Sequence, residues 1–371
     1  MKSERSEVID LFKAFACVTI VLHHMALYGP MSDVVSEWLP NLIDFLEDHG
    51  LLAVQVFLVV GGYLNAKSWT RSLVETDFKF FSRALARYQR LVIPLLAALS
   101  FSVAVTAIVR PYFDHTSLSA EPAVSQVFAH VFLLQDVLYL EAFSAGVWYV
   151  AIDFQLFVMA LACAGIAYQW QLKTQRGSVI RKALTLWSVL LLASLFYWNL
   201  NPLGEIWGTY FFSAYGLGLC VGCWREAHLK ISHHMLAVII FLLGLMAYVY
   251  QPRIRLLVAV LIAVLLALYE STGCRPLSFL KVRWIQSLSD ASYAIFLVHF
   301  GVSLCVSATV FNLASESIPV NAMGMLISLG LSLWVGRLLH LHVEKLNPSW
   351  KRWGQWVATF VATSTVVMYL A

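Results

Sequence analysis

The stretch Asp10-Leu-Phe-Lys-Ala-Phe-Ala-Cys-Val-Thr-Ile-Val-Leu-His-His-Met25 sets the character of the chain. Apolar sequence continues to about Gly29, long enough to enter a bilayer, which takes about 20 residues to cross. Lys13 and His24 lie eleven residues apart. In an α-helix that separation is three turns plus about 20°, so both side chains share one face, roughly 16 Å apart along the axis. His23 points about 100° away from His24.

Ionisable side chains are costly in hydrocarbon, so we expect Lys13 and His24 to face protein or water. Two interpretations stay open at this point. In the first, the shared face is functional and carries a cation near one membrane surface and an acid–base group deeper in the membrane. In the second, Lys13 extends to the lipid–water interface and His24 is a packing residue.

The composition excludes a soluble globular domain. Of the 371 residues, 60% are hydrophobic and only 12% are charged, whereas soluble domains carry about 25% charged residues. The mean hydropathy is +0.75, and the 13 Trp and 15 Tyr fit aromatic belts at membrane interfaces. The pair Cys220-Val-Gly-Cys223 ends an apolar segment without a second cysteine pair, so we interpret it as structural. These features are typical of a multi-pass membrane protein.

Apolar segments predict the fold. They cover about 8–29, 50–66, 91–110, 146–169, 183–200, 206–224, 235–250, 254–270, 286–312, 320–342 and 354–371. The chain is therefore predicted to be all-α, a polytopic transmembrane helix bundle of ten core helices plus an eleventh. Residues 122–140 are predicted to form an amphipathic outer segment, and 235–270 form either a tight hairpin or one broken unit. The first segment lacks a cleavage site, so we expect a retained helix rather than a signal peptide, and we expect no soluble domain after the last helix.

Cationic and acidic loops alternate along the chain. The cations that precede the first segment or follow an even-numbered one are Lys2, Arg5, Lys67, Arg71, Lys79, Arg83, Arg87, Arg90, Lys173, Arg176, Arg181, Lys182, Arg225, Lys230, Arg275, Lys281, Arg283, Lys345, Lys351 and Arg352. The other loops are acidic, with Arg110, Arg253 and Arg255 as exceptions. By the positive-inside rule the N-terminus is cytoplasmic and the C-terminus is outside. This orientation puts Lys13 near the inner surface and His24 in the outer half.

Four further stretches carry chemically informative residues. They are Val56–Leu64, whose paired glycines allow close helix approach; Arg83–Pro94, a basic turn that leads into the third segment; Gly146–Gln155, which opens the fourth segment; and Leu288–His299.

Together with the first helix, these stretches resemble the membrane-bound acyltransferase 3 family, integral-membrane O-acyltransferases of envelope glycans and related acceptors. The positions that match its motifs are, in chain order, Asp10, Lys13, His24, Phe57 to Tyr63, Arg87, Arg90, Pro94, Trp148, Tyr149, Asp153, Ser292, Tyr293, His299, Glu344, Lys345 and Pro348. The resemblance defines residues 7–350 as an acyltransferase-3-like transmembrane domain and leaves 354–371 as an additional C-terminal transmembrane helix. Three positions depart from the family pattern: Lys13 replaces Arg, Gly61 replaces Ser, and Asp153 replaces Glu.

The resemblance implies transfer of an acyl group, which we expect to be acetyl, from cytoplasmic acyl-CoA to a hydroxyl of an extracytoplasmic glycan or similar acceptor. The implied catalytic residues are His24 as general base and Asp153 as the acid that orients or stabilises it. The implied acyl-CoA-binding residues are Lys13, Arg87 and Arg90, and the implied acceptor or pocket residues are Trp148, Tyr149, Tyr293 and His299. Guanidinium groups suit phosphates, and a general base with a pKa near neutral is typically a histidine.

We expect no tightly bound cofactor, no metal and no nucleic acid. The expected partners are acyl-CoA, the acceptor and the lipid bilayer, and the expected location is the bacterial cytoplasmic (inner) membrane; the oligomeric state stays open. The arginines are also orientation determinants in any membrane protein, Trp148 and Tyr149 are also candidates for belt aromatics, and His299 for a packing residue. The alternative function is a transporter or proton-coupled carrier, with a relay made of Lys13, His24, Asp153 and His299, although such carriers more often show internal repeats.

Overall fold

The computed structural model describes residues 6–74, 78–272 and 282–370, and all regular secondary structure within them is helical. The helices are α1 (Glu7–Tyr28), α2 (Pro30–Val35), α3 (Pro40–His49), α4 (Ala53–Val74), α5 (Phe80–Val109), α6 (Val124–Val131), α7 (Val147–Thr174), α8 (Val179–Phe196), α9 (Gly208–Cys223), α10 (His233–Tyr250), α11 (Ile254–Ser271), α12 (Arg283–Ala314), α13 (Ile318–Leu339) and α14 (Trp350–Leu370). The all-α prediction is confirmed. The predicted loop cations Lys2, Arg5, Arg275 and Lys281 lie outside the described residues.

Every predicted apolar segment forms a helix, but these helices differ in length and polarity. Among the described residues, 8 helices are long and apolar enough to cross a membrane, namely α1, α5, α7, α8, α10, α11, α12 and α13. Helix α9 has only 16 residues, fewer than the roughly 20 that a membrane-spanning helix needs. The chain is thus a multi-pass membrane protein by its helices, whereas ten core helices and a cytoplasmic N-terminus stay predictions. Residues 235–270 form the hairpin of α10 and α11 rather than one broken unit.

The helices form two compact units, and the first contains α4, α8 to α11 and α7 from Ile152 onward. In this unit α4 and α9 meet backbone to backbone. A β-carbon added at Gly218 would lie 2.8 Å from the amide nitrogen of Tyr63, and one at Gly62 would lie 3.0 Å from the carbonyl carbon of Tyr215. Side chains at these glycines would separate the helices, so the close approach predicted from the paired glycines is confirmed.

Two cations that break the alternation of loop charge also lie in the first unit. Arg253 follows α10 and donates to Asn199 Oδ1 at 2.6 Å and to the Leu195 carbonyl at 3.1 Å. Arg255 pairs with Glu205 at 2.7 Å. Both guanidinium groups therefore bind acceptors within this unit.

The second unit contains α2, α3, α5 from residue 86, α6, α12 to α14, and α1 from Asp10. In it α1 and α12 run side by side in the same direction. Ser289 donates to Asp10 Oδ1 at 2.7 Å near the start of both helices, and His24 meets His299 further along both. Contacts of Tyr293 and Gly301 with α5 show that α5 runs parallel to α12 as well. Helices α1, α5 and α12 are the first, third and ninth predicted segments, so their shared direction agrees with the predicted alternation.

The connection between α5 and α7 folds back along α5. The Tyr88 hydroxyl donates to the Val131 carbonyl at 2.6 Å, and Tyr88 lies 21 residues before Val109, the end of α5, which is about 31 Å of helix. We call residues 119–146 the re-entrant segment. Val131 therefore lies level with the first turns of α5, and the prediction that 122–140 is an outer segment is wrong.

Buried side chains hold the re-entrant segment together. The Nδ1 atom of His130 lies 2.8 Å from the Gln126 carbonyl, and its Nε2 accepts from the Phe143 amide at 3.3 Å. Leu133 and Tyr139 have positive φ angles of 59° and 53°. Irregular backbone at membrane depth is tolerated only where protein or water satisfies its polar groups. The fully buried His130 ring does this for the Phe143 amide and is itself anchored on the Gln126 carbonyl of α6.

Candidate functional site

His24 of α1 and His299 of α12 form a buried pair. The Nδ1 atom of His24 lies 2.8 Å from Nε2 of His299, and the two ring planes are inclined by only 10°. The residues are 5% and 0% exposed. Nδ1 of His299 lies 2.6 Å from the Phe296 carbonyl oxygen. Near-coplanar rings at this distance align the donor with the in-plane lone pair of the acceptor, as a hydrogen bond requires.

The Phe296 carbonyl fixes the proton positions in this pair. A carbonyl oxygen only accepts, so Nδ1 of His299 carries the hydrogen, and Nε2 of the neutral ring is then an acceptor. His24 must therefore donate from Nδ1, which leaves the lone pair on its Nε2. This is the tautomer that a general base needs, with one ring nitrogen held by a partner and the other able to take a proton.

Gly146 brings the end of the re-entrant segment against the histidine pair. Its φ is +80°, and a β-carbon there would lie 2.7 Å from the Phe296 ring and 3.3 Å from Cε1 of His24. The left-handed backbone and the lack of space both require glycine. Three residues later the Tyr149 ring packs edge-on against Phe296 at 5.5 Å. Tyr149 and its neighbour Trp148 are half-buried. Of these two predicted acceptor residues, Tyr149 is separated from His299 by the Phe296 ring, and Trp148 packs against Tyr149.

His23 occupies a different face of α1. Its Nδ1 atom lies 2.9 Å from the Leu46 carbonyl of α3, and Gly50 packs against its β-carbon. The His23 and His24 ring centroids are 5.1 Å apart. His23 therefore joins α1 to α3, whereas His24 joins α1 to α12, as the angular argument predicts.

The remaining predicted residues of the second unit lie toward the starts of α1, α5 and α12. Lys13 and Arg87 are half-buried and Arg90 is exposed. The Tyr293 hydroxyl donates to the Leu91 carbonyl at 2.8 Å. Tyr293 thus lies next to the arginine turn of α5, almost two helical turns before His299 along α12.

Asp153 belongs to the first unit. It is 5% exposed and faces Gly61 of α4, where an added β-carbon would lie 4.0 Å from Oδ1 of Asp153 and 3.6 Å from the Tyr215 ring. The glycine that departs from the family pattern therefore leaves space next to this carboxylate. Interaction of Asp153 with His24 stays a prediction.

Sequence reasoning missed a small cavity beside the pair. The cavity has a volume of about 10 Å³, and its polar lining consists of His24, His299, Tyr28, Ser117, Ser303 and Ser307. The spacing of the two α12 serines, four and eight residues after His299, was the available signal. Within the described residues no group of three or more His, Cys, Asp or Glu side chains is arranged to hold a metal ion.

Comparison with known proteins gives a family match. A family model described as an acyltransferase domain matches residues 7–371. The chain is also similar to "Regulator of hypoxia-inducible factor 1" from Caenorhabditis elegans, at 24% identity over 173 residues, which is 43% of this chain and 34% of that protein. The chain thus matches about a third of the length of that relative. No solved structure matches the chain.

Proposed function

The chain belongs to the acyltransferase 3 family, and on that premise we propose that it moves an acyl group, expected to be acetyl, from cytoplasmic acyl-CoA to a hydroxyl of an extracytoplasmic glycan or similar acceptor. The proposed setting is a bacterial cytoplasmic membrane. The family match favours acyl transfer over the carrier alternative.

The geometry of the His24–His299 pair carries the proposal. The acceptor hydroxyl gives its proton to Nε2 of His24 as its oxygen attacks the thioester carbonyl carbon. The carbon–sulfur bond then breaks, and the proton passes from His24 to the departing thiolate sulfur. His299 acts as a positioning residue that holds Nδ1 of His24. We further propose that Asp153 stabilises the positive charge on His24 during the step.

Cations near the helix starts fit the donor side of this proposal. Acyl-CoA carries several phosphate groups, and Arg87 and Arg90 lie nearly one turn apart on α5, where two guanidinium groups can bind them. Lys13 adds a point charge at the corresponding end of α1. Trp148 and Tyr149 are proposed to border the acceptor side, and Tyr293 to support the arginine turn through Leu91.

The direct test is release of free thiol from acetyl-CoA by the purified protein. A general base contributes roughly 10²- to 10⁴-fold, so His24→Ala should reduce thiol release at least a hundredfold at normal abundance. The matched control is His23→Ala. His23 is one residue away but bonds to α3, so this change should reduce thiol release far less. Full activity of His24→Ala would remove the catalytic assignment and leave the family match as evidence of fold only.

The acceptor and the orientation need separate measurements. Comparing envelope glycan mass with and without the protein should reveal an acyl-sized increment, and no increment in any glycan would exclude that acceptor class. Reporter fusions after Asp44 and Glu316 should read external and a fusion after Arg176 cytoplasmic. The reverse pattern would place the proposed donor site on the wrong side of the membrane.

A further inference from the structure

The cavity next to the histidine pair is lined by hydroxyl groups. His299, Ser303 and Ser307 follow at four-residue steps along one face of α12. Tyr28 comes from the end of α1, and Ser117 from the loop before the re-entrant segment. Together they extend the polar face of the pair toward the ends of both helices.

The two α12 hydroxyls are buried, and nothing in the described part of the chain binds them. Ser303 is 9% and Ser307 is 2% exposed, and neither hydroxyl makes a hydrogen bond with another described residue. Many buried helical serines bond a carbonyl of their own helix, as Ser100 does with Leu96 at 2.7 Å. Buried hydroxyls that face a polar cavity are normally satisfied by water or by a ligand.

The lining specifies the chemistry of the ligand. Hydroxyl groups both donate and accept, and among the residues that the structure describes no Lys, Arg, Asp or Glu side chain lines the cavity. Such a site suits a neutral hydroxyl, whereas phosphates and carboxylates need cations or several N–H donors. The cavity volume, about 10 Å³, is close to that of one water-sized sphere.

We propose that this cavity is the subsite for the attacking hydroxyl, occupied by one water at rest and by a hydroxyl of a neutral polyol acceptor during transfer. The inference rests on the proposed function. Ser303 and Ser307 hold the acceptor oxygen beside His24. The acceptor O–H bond breaks toward Nε2 of His24, the oxygen bonds to the acyl carbon, and the thiolate leaves and takes that proton. A water in the same place gives slow hydrolysis of the donor by the same exchange of bonds.

The test uses acetyl-CoA as donor and glycerol as a neutral surrogate acceptor, with the full chain in nanodiscs. Thiol release and acetylglycerol are both measured. Loss of one hydrogen bond to the acceptor in Ser303→Ala or Ser307→Ala should raise the KM for glycerol about three- to tenfold, with little change in the KM for acetyl-CoA. Ser307→Val, which fills the cavity, should remove most acetylglycerol formation and most hydrolysis. Matched controls are Ser328→Ala and Ser332→Ala, which change fully buried serines of α13 away from the cavity.

The outcomes separate this inference from the proposed function. If thiol release depends on His24 but the α12 serine variants respond to glycerol as the α13 controls do, the subsite assignment is wrong and the acyltransferase proposal stands. The same holds if the wild type hydrolyses acetyl-CoA but never acetylates glycerol. If the wild type releases no thiol, the proposed function fails, and the subsite with it.

Discussion

His299 offers a sharp test of how the site works, because its predicted effect depends on one hydrogen bond. Truncation in His299→Ala removes the acceptor that holds Nδ1 of His24 at 2.8 Å. The neutral bond is worth about 1 kcal/mol, and it becomes charge-assisted, at about 1.5–3 kcal/mol, once His24 takes the proton. The difference of roughly 0.5–2 kcal/mol belongs to the transition state and corresponds to about a 2- to 30-fold lower kcat.

A second effect adds to this loss. Without its partner, His24 also samples the tautomer with hydrogen on Nε2, which cannot accept a proton. We therefore expect kcat to fall about 10- to 100-fold in His299→Ala, less than in His24→Ala. The KM for acetyl-CoA should change little, because His299 is not placed on the donor side.

The control is His299→Gln, which restores an oxygen acceptor where Nε2 was and an N–H group that can reach the Phe296 carbonyl. It should recover most of the lost kcat. The assay is thiol release from acetyl-CoA by monodisperse protein, with the apparent melting temperature recorded for each variant. Wild-type kcat in His299→Ala would refute the tautomer argument. Equal losses in both variants, together with lower melting temperatures, would assign His299 a packing role instead.

Other changes test neighbouring parts of the structure. Gly146→Ala should reduce kcat at least tenfold, because the β-carbon would displace the ring of the residue whose carbonyl orients His299; normal kcat would show that the contact is adaptable. His130→Asn keeps a donor near the position of Nδ1, but its shorter side chain places no acceptor where Nε2 meets the Phe143 amide, so it should cost about 1–3 kcal/mol and lower the melting temperature by several degrees. The double variant Arg87→Ala with Arg90→Ala should weaken acyl-CoA binding at unchanged expression, and unchanged affinity would leave these arginines a role in orientation only. Asp153→Asn should lower kcat, since a neutral amide cannot stabilise an imidazolium. An unchanged kcat would show that Asp153 takes no part in the reaction.

Features that depend only on helical geometry could be predicted from the sequence. The distinct faces of His23 and His24 follow from 100° per residue, and the all-α fold follows from the apolar segments. The family resemblance named His299 only as an acceptor or pocket residue. Its bond to His24 joins positions 275 residues apart in the chain, and no local pattern carries that information.

The re-entrant segment shows a different limit. Residues 122–140 have the mixed polarity of a helix at a membrane surface, and their depth depends on a tertiary bond from Tyr88. Gly146 could have been singled out as a glycine before an aromatic pair. Its contact with His24, however, is visible only in the folded structure. The helix count is uncertain from sequence for a physical reason too, since α9 is apolar throughout yet shorter than a usual membrane span.

The depth at which His24 lies is set by two helices independently. On α1, eleven residues separate Lys13 from His24. On α5, eleven residues separate Arg90 from Phe101, whose ring lies against Gly301, two residues beyond His299. Both intervals correspond to about 16 Å. The predicted phosphate-binding cations thus lie at one common level along the helices and the histidine pair at another. If these cations bind the phosphates of the proposed donor, its acyl-thioester arm has to extend about 16 Å to reach the pair.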